Sequence, residues 1–404
     1  MGNEEVRLAG YTFRVRALSQ KGVLANKAMR VVGGRAQVYQ LIDLHTGQLY
    51  ALKVMLPAFR KPQLVRNREL LSQLAHLPGY EACKQVYVTQ EEHSSDLVRY
   101  PNLLFASLMP WIGGVNWATV ISNWSSVLDD ETSWEIAYQL VRLVRVLERN
   151  GISHCDLSGG NVMVNLGARR VSLIDFDEVY WPGAPVPAVI PTGTPGYRRR
   201  VESQWEGSSD RFSTAVLVGE MLGWRDERVR SKSSGDSFFT DEDCNSRDPE
   251  KFRLMGQFLH SLYPDLGTLF ERAWQAPSND FCPTVEEWRA ALVAARGWQA
   301  LPIDPLDHSR IDVSILPKLQ PAETLVRPYP MPGASSLPTE ALQRTYKPEP
   351  APPPQMRQAT RPVKSRRKRA GRLNLANSIA ITIATLSIGA LLVGMFFLIF
   401  NAGH

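Results

Sequence analysis

His154-Cys155-Asp156-Leu157-Ser158-Gly159-Gly160-Asn161, followed by Asp175-Phe176-Asp177, is the stretch on which the reading of this chain turns. It places a carboxylate (Asp156), a carboxamide (Asn161) and a second carboxylate (Asp175) at the spacing of a metal-assisted phosphotransfer site. A carboxamide oxygen and a carboxylate suit Mg²⁺ held on nucleotide phosphates, and a further carboxylate can take the proton of an attacking hydroxyl. An isolated Asp or Asn in a loop is usually a turn former. Their joint spacing with Lys53 upstream points to chemistry instead.

The flanking sequence supplies a frame for these residues. Residues 131–150 carry Ile136, Leu140, Leu143, Val144 and Leu147 at helical spacing, and Gly151 marks the stop. Residues 161–165 and 171–174 read as a hairpin that ends at Asp175. Further upstream, Val31 to Tyr39 contains Gly33-Gly34, and a His45-Thr46-Gly47 turn precedes the strand from Tyr50 to Met55 that carries Lys53. A glycine pair between apolar strands is a hairpin signal. Backbone N–H groups of such a turn can approach phosphates where side chains are absent.

The catalytic stretch resembles the loop H-R-D-L-x-x-x-N followed by D-F-G of protein kinases, in particular the Hanks-type Ser/Thr kinases of bacterial flavour. The resemblance continues in order through Gly193-Thr194-Pro195-Gly196-Tyr197, the segment 209–217 with Asp210, and residues 283–294. It covers most of the stretch from about residue 12 to residue 298. It implies an α+β, bilobal protein kinase-like fold, with a β-rich N-lobe over about 1–110 and a helical C-lobe over about 111–300. It further implies ATP and Mg²⁺ as cofactors, Asp156, Lys53 and Ser158 as catalytic candidates, and Asn161 and Asp175 as metal ligands. The nucleotide would lie against Gly33, Gly34, Ala36, Val38, Ala51, Lys53 and Asn161. Pro110 and Ile112 of the hinge segment 109–114 would meet the adenine, and 103–108 would form an inner strand. Glu69, on a helical stretch over 63–77, would pair with Lys53.

Several positions depart from the family pattern. Val31 and Ala36 stand where the outer glycines would be, Cys155 replaces an Arg, Ser158 replaces a Lys, and Asp177 replaces a Gly. The Arg binds a phosphorylated activation loop, and Thr192 and Thr194 are the only Ser/Thr between Asp177 and Tyr197. Both features imply activity that is not switched by phosphorylation of that loop. The missing Lys neutralises charge on the transferring group, and losing one such donor costs ~10²–10³ in rate. Asp177 either helps to hold Mg²⁺ or caps a turn. The Glu of the A-P-E motif is missing near Arg199–Val201 unless Glu202 has slipped into the role, and Cys282 stands where its Arg partner would be; loss of both halves of a buried ion pair is physically coherent.

Composition divides the 404 residues differently from the motifs. The net charge of +6 resides at one end: residues 361–404 hold seven Lys/Arg and no acidic residue, leaving 39 basic against 40 acidic residues elsewhere. A local basic tract argues against a nucleic-acid partner. Four widely spaced cysteines form no metal motif and read as reduced thiols. Thirteen prolines in 302–360 make 301–360 a linker, since each removes a backbone donor; Ile311, Val313 and Ile315 alternate and could instead pack on the domain as a short strand. The basic tract 361–372 precedes an uncharged run over 373–400. As a helix, that run would span ~42 Å against a ~30 Å hydrocarbon core. The expectation is one transmembrane helix in the plasma membrane, with the kinase-like domain cytoplasmic, the tail 401–404 outside, and the basic tract on anionic headgroups. Three functions stay open: an active protein kinase with a protein substrate, a pseudokinase scaffold at the membrane, and a small-molecule phosphotransferase.

Overall fold

The computed structural model describes residues 4–18, 27–123, 128–199, 205–233, 235–297, 306 and 309–316. Strands β1 (Glu5–Leu8), β2 (Tyr11–Val15), β3 (Arg30–Val32), β4 (Ala36–Asp43), β5 (Leu49–Met55), β6 (Val86–Tyr87) and β7 (Ser107–Pro110) form a curled antiparallel sheet. Its order is β1-β2-β4-β5-β7-β6, with β3 also on β4. β3 covers Gln37–Tyr39 of β4, and β2 covers Leu41–Asp43. The period of two assigns the faces of β4 and β5. Tyr39, Leu41, Tyr50, Leu52 and Val54 join one apolar cluster with Phe13 and Leu108. Val38, Ala51 and Lys53 lie on the opposite face, where the register pairs Val38 with Lys53 and Gln40 with Ala51.

Two short helices, α1 (Arg68–Leu74) and α2 (Ser94–Arg99), accompany this sheet. The rest is helical: α3 (Trp117–Asn123), α4 (Asp130–Arg149), α5 (Arg211–Gly223), α6 (Glu227–Arg230), α7 (Asp241–Cys244), α8 (Glu250–Leu262), α9 (Pro264–Gln275) and α10 (Val285–Arg296). A small sheet joins β8 (Val115–Asn116), just before α3, to β9 (Val162–Asn165) and β10 (Arg170–Leu173), which lie between α4 and α5 in the chain. α4 starts where Asp129 accepts the Thr132 N–H (2.7 Å) and stops at Gly151, whose φ of 68° is left-handed. α5 is buried along its whole length from Phe212, its polar Ser213, Thr214 and Glu220 included. This mixed α/β architecture fits a kinase-like fold.

The structure corrects three element expectations. Over 63–77 a 3₁₀ stretch, Pro62–Asn67, comes first and α1 starts only at Arg68. Over 103–108 a 3₁₀ turn at Pro101–Leu103 and a left-handed Phe105 (φ 60°) delay the strand to Ser107. Residues 309–316, assigned to the linker, pack on the domain, forming a 3₁₀ turn at Val313–Ile315 and no strand. Leu306, Ile311 and Leu316 are buried in the large core. Asp312 and Gln73 of α1 exchange two hydrogen bonds (2.7 and 3.1 Å), and Asn150 Oδ1 accepts the Ile311 N–H (2.9 Å). The expected transmembrane run 373–400, the basic tract 361–372, the tail 401–404 and the linker from 317 to 360 lie outside the described residues. Among the described residues no helix is long and apolar enough to cross a membrane.

Candidate functional site

The catalytic loop is built downward onto α5. Asp210, buried at the start of that helix, accepts hydrogen bonds from the backbone N–H groups of His154 (2.5 Å) and Cys155 (3.0 Å). These bonds hold Cys155 in the left-handed region, at φ 63°. Asp175 is left-handed as well, at φ 66°. Each such non-glycine residue costs on the order of 1–3 kcal/mol, and the surrounding contacts must hold it there. His154 supplies one of those contacts, since its ring Nε2 lies 2.8 Å from the Ile174 carbonyl. Ser153 and Tyr180 exchange two further backbone bonds.

Asp156 follows with its carboxylate oriented from two sides. Thr194 Oγ1 donates to Oδ1 (2.8 Å), and Asn161 Nδ2 donates to Oδ2 (3.3 Å) and to the Asp156 carbonyl (2.8 Å). The Ile174 N–H donates to the Asn161 carbonyl (3.0 Å), which ties Asn161 to the stretch that ends at Asp175. Lys53 Nζ then bonds Asp175 Oδ1 and Asp177 Oδ2, both at 2.6 Å. A continuous chain of contacts thus joins Thr194, Asp156, Asn161, Asp175 and Lys53.

Electrostatics separates the two carboxylates on Lys53. Burial opposes charge on Asp175, but the Lys53 ammonium outweighs it and holds the carboxyl below its usual range. At Asp177 burial wins: the attraction of Lys53 is partly offset by the like charge of Asp175, and the carboxyl is pushed up. Burial works against the charge of Lys53 as well, yet the two acids raise its affinity for a proton well above normal. The two acids therefore favour the charged form of Lys53.

The face of the sheet above Lys53 carries the other nucleotide candidates. Val38, Ala51 and Ile112 share an apolar cluster with Ala82, Met109, Trp111 and Ile174. An apolar patch of this kind suits a heteroaromatic ring. Trp111 N–H donates to the Leu49 carbonyl (3.0 Å), closing the β5–β7 edge at the hinge beside Pro110; the Ile112 N–H has no backbone partner among the described residues. At the tip of the β3–β4 hairpin, Gly33 N–H bonds the Ala36 carbonyl (2.9 Å). That donor is committed to the turn, and a side chain at Gly34 would meet open space. Arg35, at the same tip, pairs with Glu178 beyond Asp177.

Two expected residues lie elsewhere. Glu69 is exposed in the first turn of α1 and does not pair with Lys53. The delayed start of α1 turns Leu70, Leu71 and Leu74 inward and leaves Glu69 outward. Ser158 is 2% exposed, and its carbonyl receives the Asn161 N–H (3.0 Å). Its backbone serves the turn of the loop. The sequence reading also missed two groups. Thr194 belongs to the 193–197 motif and is one of two hydroxyls of its segment, but neither reading gives it a contact with Asp156. Arg199 replaces the lost ion pair: its guanidinium donates to the Ala276 carbonyl and lies over the Phe212 ring at 5.7 Å. No sequence pattern signals a contact of a side chain with a distant backbone carbonyl.

The donor set fits a hard divalent cation shared with phosphates. Asn161 directs its Nδ2 to Asp156, which leaves its amide oxygen, and Asp175 leaves its Oδ2 beside the Oδ1 used by Lys53. Among the described residues no group of three His, Cys, Asp or Glu could cage a metal alone. Mg²⁺ characteristically takes one or two protein oxygens and completes its shell with phosphate and water. Next to Asp156, a cavity of ≈ 50 Å³ is lined by Cys155, Gly193, Arg198 and Arg199 among others. Burial pushes the Cys155 thiol up, which disfavours its thiolate.

Comparison with known proteins agrees with this geometry at the level of the family. No family model matches the chain. The serine/threonine-protein kinase csk1 of Schizosaccharomyces pombe (strain 972 / ATCC 24843) is similar to it at 22% identity over 264 residues, covering 59% of this chain and 77% of that protein. The likeness is distant and supports a kinase-like protein.

Proposed function

We propose that this chain is a membrane-anchored Ser/Thr protein kinase that transfers the γ-phosphoryl group of ATP to protein hydroxyls. The observation that carries the reading is the contact chain from Thr194 through Asp156 and Asn161 to Asp175 and Lys53. It sets a carboxylate beside the cavity on one side and a cation on the sheet face of the apolar patch on the other.

In this reading Val38, Ala51, Met109 and Ile112 receive the adenine, and Lys53 draws the phosphates inward. Asn161 and Asp175 would hold Mg²⁺. When bound, the metal neutralises charge on the phosphates. Asp156 accepts the proton of the incoming hydroxyl, with Thr194 and Asn161 fixing the orientation of its carboxylate. Ser158 supplies no positive charge, so Lys53 and the metal carry the electrostatic load. The run 373–400 would span the plasma membrane with the kinase-like domain on the cytoplasmic side, and the tract 361–372 would lie on anionic lipid.

The burial of Ser158 favours a second reading, a pseudokinase that binds nucleotide and partners without transfer. The deciding experiment uses the full chain in detergent micelles with labelled ATP, Mg²⁺ and a mixture of proteins, beside Asp156→Asn and Lys53→Met. Transfer that falls by about 10²–10⁴ in Asp156→Asn supports the kinase. Absent transfer with Mg²⁺-dependent thermal stabilisation by ATP supports the pseudokinase. Transfer to an added aminoglycoside and to no protein would indicate a small-molecule phosphotransferase.

A further inference from the structure

We propose that Asp177 is the residue that fixes Lys53 in the cleft, the task the resemblance would assign to Glu69. The inference rests on the kinase reading for its purpose and on the geometry for its substance. Lys53 Nζ has three protons, and two are taken by Asp175 Oδ1 and Asp177 Oδ2 at 2.6 Å. The two acids differ in how they are held. The Asp175 side chain is 41% exposed and turned toward the cleft opening, whereas that of Asp177 is 17% exposed. The exposed acid is the one free to turn toward a ligand, and the enclosed acid is the one that stays.

The backbone of Asp177 is held as firmly as its side chain. It lies in the 3₁₀ turn Phe176–Glu178. The ring of Phe176 is buried against His154 (4.7 Å between centroids) and Tyr80 (6.0 Å), and the Phe176 carbonyl accepts from Asn67 Nδ2 (3.3 Å). An anion on such a support can hold a lysine without help from Glu69. α1 offers no anion: Glu69 faces solvent, and the neighbouring Arg68 is engaged with Glu92 (2.6 Å). The consequence concerns control. The position of Lys53 depends on the 175–178 turn, which Asn67 at the N-cap of α1 braces, and not on Glu69. Asp177 is a positioning residue, acting through Lys53 and not through a metal.

The test is a double-mutant cycle in the full chain, with two readouts. The first is the dissociation constant of ATP·Mg²⁺, and the second is the unfolding equilibrium in urea without nucleotide. Asp177→Asn should weaken ATP·Mg²⁺ roughly tenfold or more in the wild-type background and less than twofold in Lys53→Met. Glu69→Ala should change the constant by less than twofold. The Mg²⁺ concentration giving half-maximal binding should stay within twofold of wild type in Asp177→Asn. A tenfold rise in that concentration, persisting in Lys53→Met, would make Asp177 a metal ligand and overturn the proposal. A tenfold loss in Glu69→Ala would overturn it as well. Without nucleotide, the effects of Asp177→Asn and Lys53→Met on the unfolding constant should be non-additive; additivity defeats the inference. If Lys53→Met does not fold, Lys53→Arg takes its place in both arms. Failure of the wild-type chain to bind ATP·Mg²⁺ would instead defeat the kinase reading, an outcome distinct from additivity.

Discussion

Two threonines separated by one residue face different surroundings. Thr192 is exposed, whereas the Thr194 hydroxyl donates to the Asp156 carboxylate at 2.8 Å. Removing the Thr194 donor frees one oxygen of the base to rotate, and small misplacements at a reacting centre cost up to ~10²-fold. Thr194→Ala is expected to lower the turnover rate by about 10–100-fold with ATP affinity within twofold of wild type. Thr192→Ala should leave both intact. Steady-state kinetics of the two variants measures this, and equal losses would mean that Thr192 is a regulatory phosphosite after all. Glu220 makes a second residue-scale prediction. It is fully buried in α5 and accepts from Phe238 N (2.7 Å), Trp117 Nε1 (2.9 Å) and Tyr197 OH (3.0 Å). Burial pushes its carboxyl up to about 7 despite those donors. The folded state then keeps a proton that the unfolded chain releases near pH 4.5, so stability falls as pH rises from about 4.5 to 7 and levels off above. The contribution is about 3 kcal/mol across that window. Urea unfolding at pH 5 and pH 7.5 should show a smaller pH difference for Glu220→Gln than for wild type. An unchanged difference would refute the assignment.

At the scale of elements, the segment 309–316 behaves as a strap across α1 and the end of α4. Ile311 is buried, and its N–H is held by Asn150. Ile311→Ala should cost about 2–4 kcal/mol, as a cavity in a packed site does. A chain ending at residue 300 should unfold about 5–10 °C below one ending at 316. Equal midpoints would show that the strap adds nothing. This element also shows where sequence reading stopped. Lys53, Asp156, Asn161 and Asp175 were legible because their chemistry is tied to spacing, and the long helix α4 was legible because its apolar period, from Ile136 to Leu147, runs for about three turns. The strap was only half legible: alternation of Ile311, Val313 and Ile315 suggested packing, but a 3₁₀ turn and a strand share that pattern over so few residues. Glu69 was misplaced for a related reason. Its direction depends on where α1 begins, and Pro62 with Asn67 moves that start by several residues. The partner of Asp177 was not legible, because it depends on the turn that follows Asp175 and on a strand 124 residues earlier in the chain.

At the scale of the whole molecule, the proposed division of labour is electrostatic. With seven Lys/Arg set aside, the remaining chain has 39 basic and 40 acidic residues, so long-range attraction to anionic lipid must come from 361–372 alone. Each such charge near the surface contributes roughly 1 kcal/mol and is screened beyond about 10 Å at 0.1 M salt. An apolar run of the length of 373–400 contributes in another way, by burial that salt does not weaken. The two contributions can therefore be separated by deletion. The full chain should remain with membranes through alkaline carbonate and 1 M salt. A chain lacking 373–404 should bind vesicles containing anionic lipid at low salt and leave them as salt is raised. A chain lacking 361–404 should bind neither anionic nor neutral vesicles. Release of the full chain by salt alone would reduce 373–400 to a surface segment. Binding by the chain without 361–404 would place a membrane contact on the kinase-like domain itself.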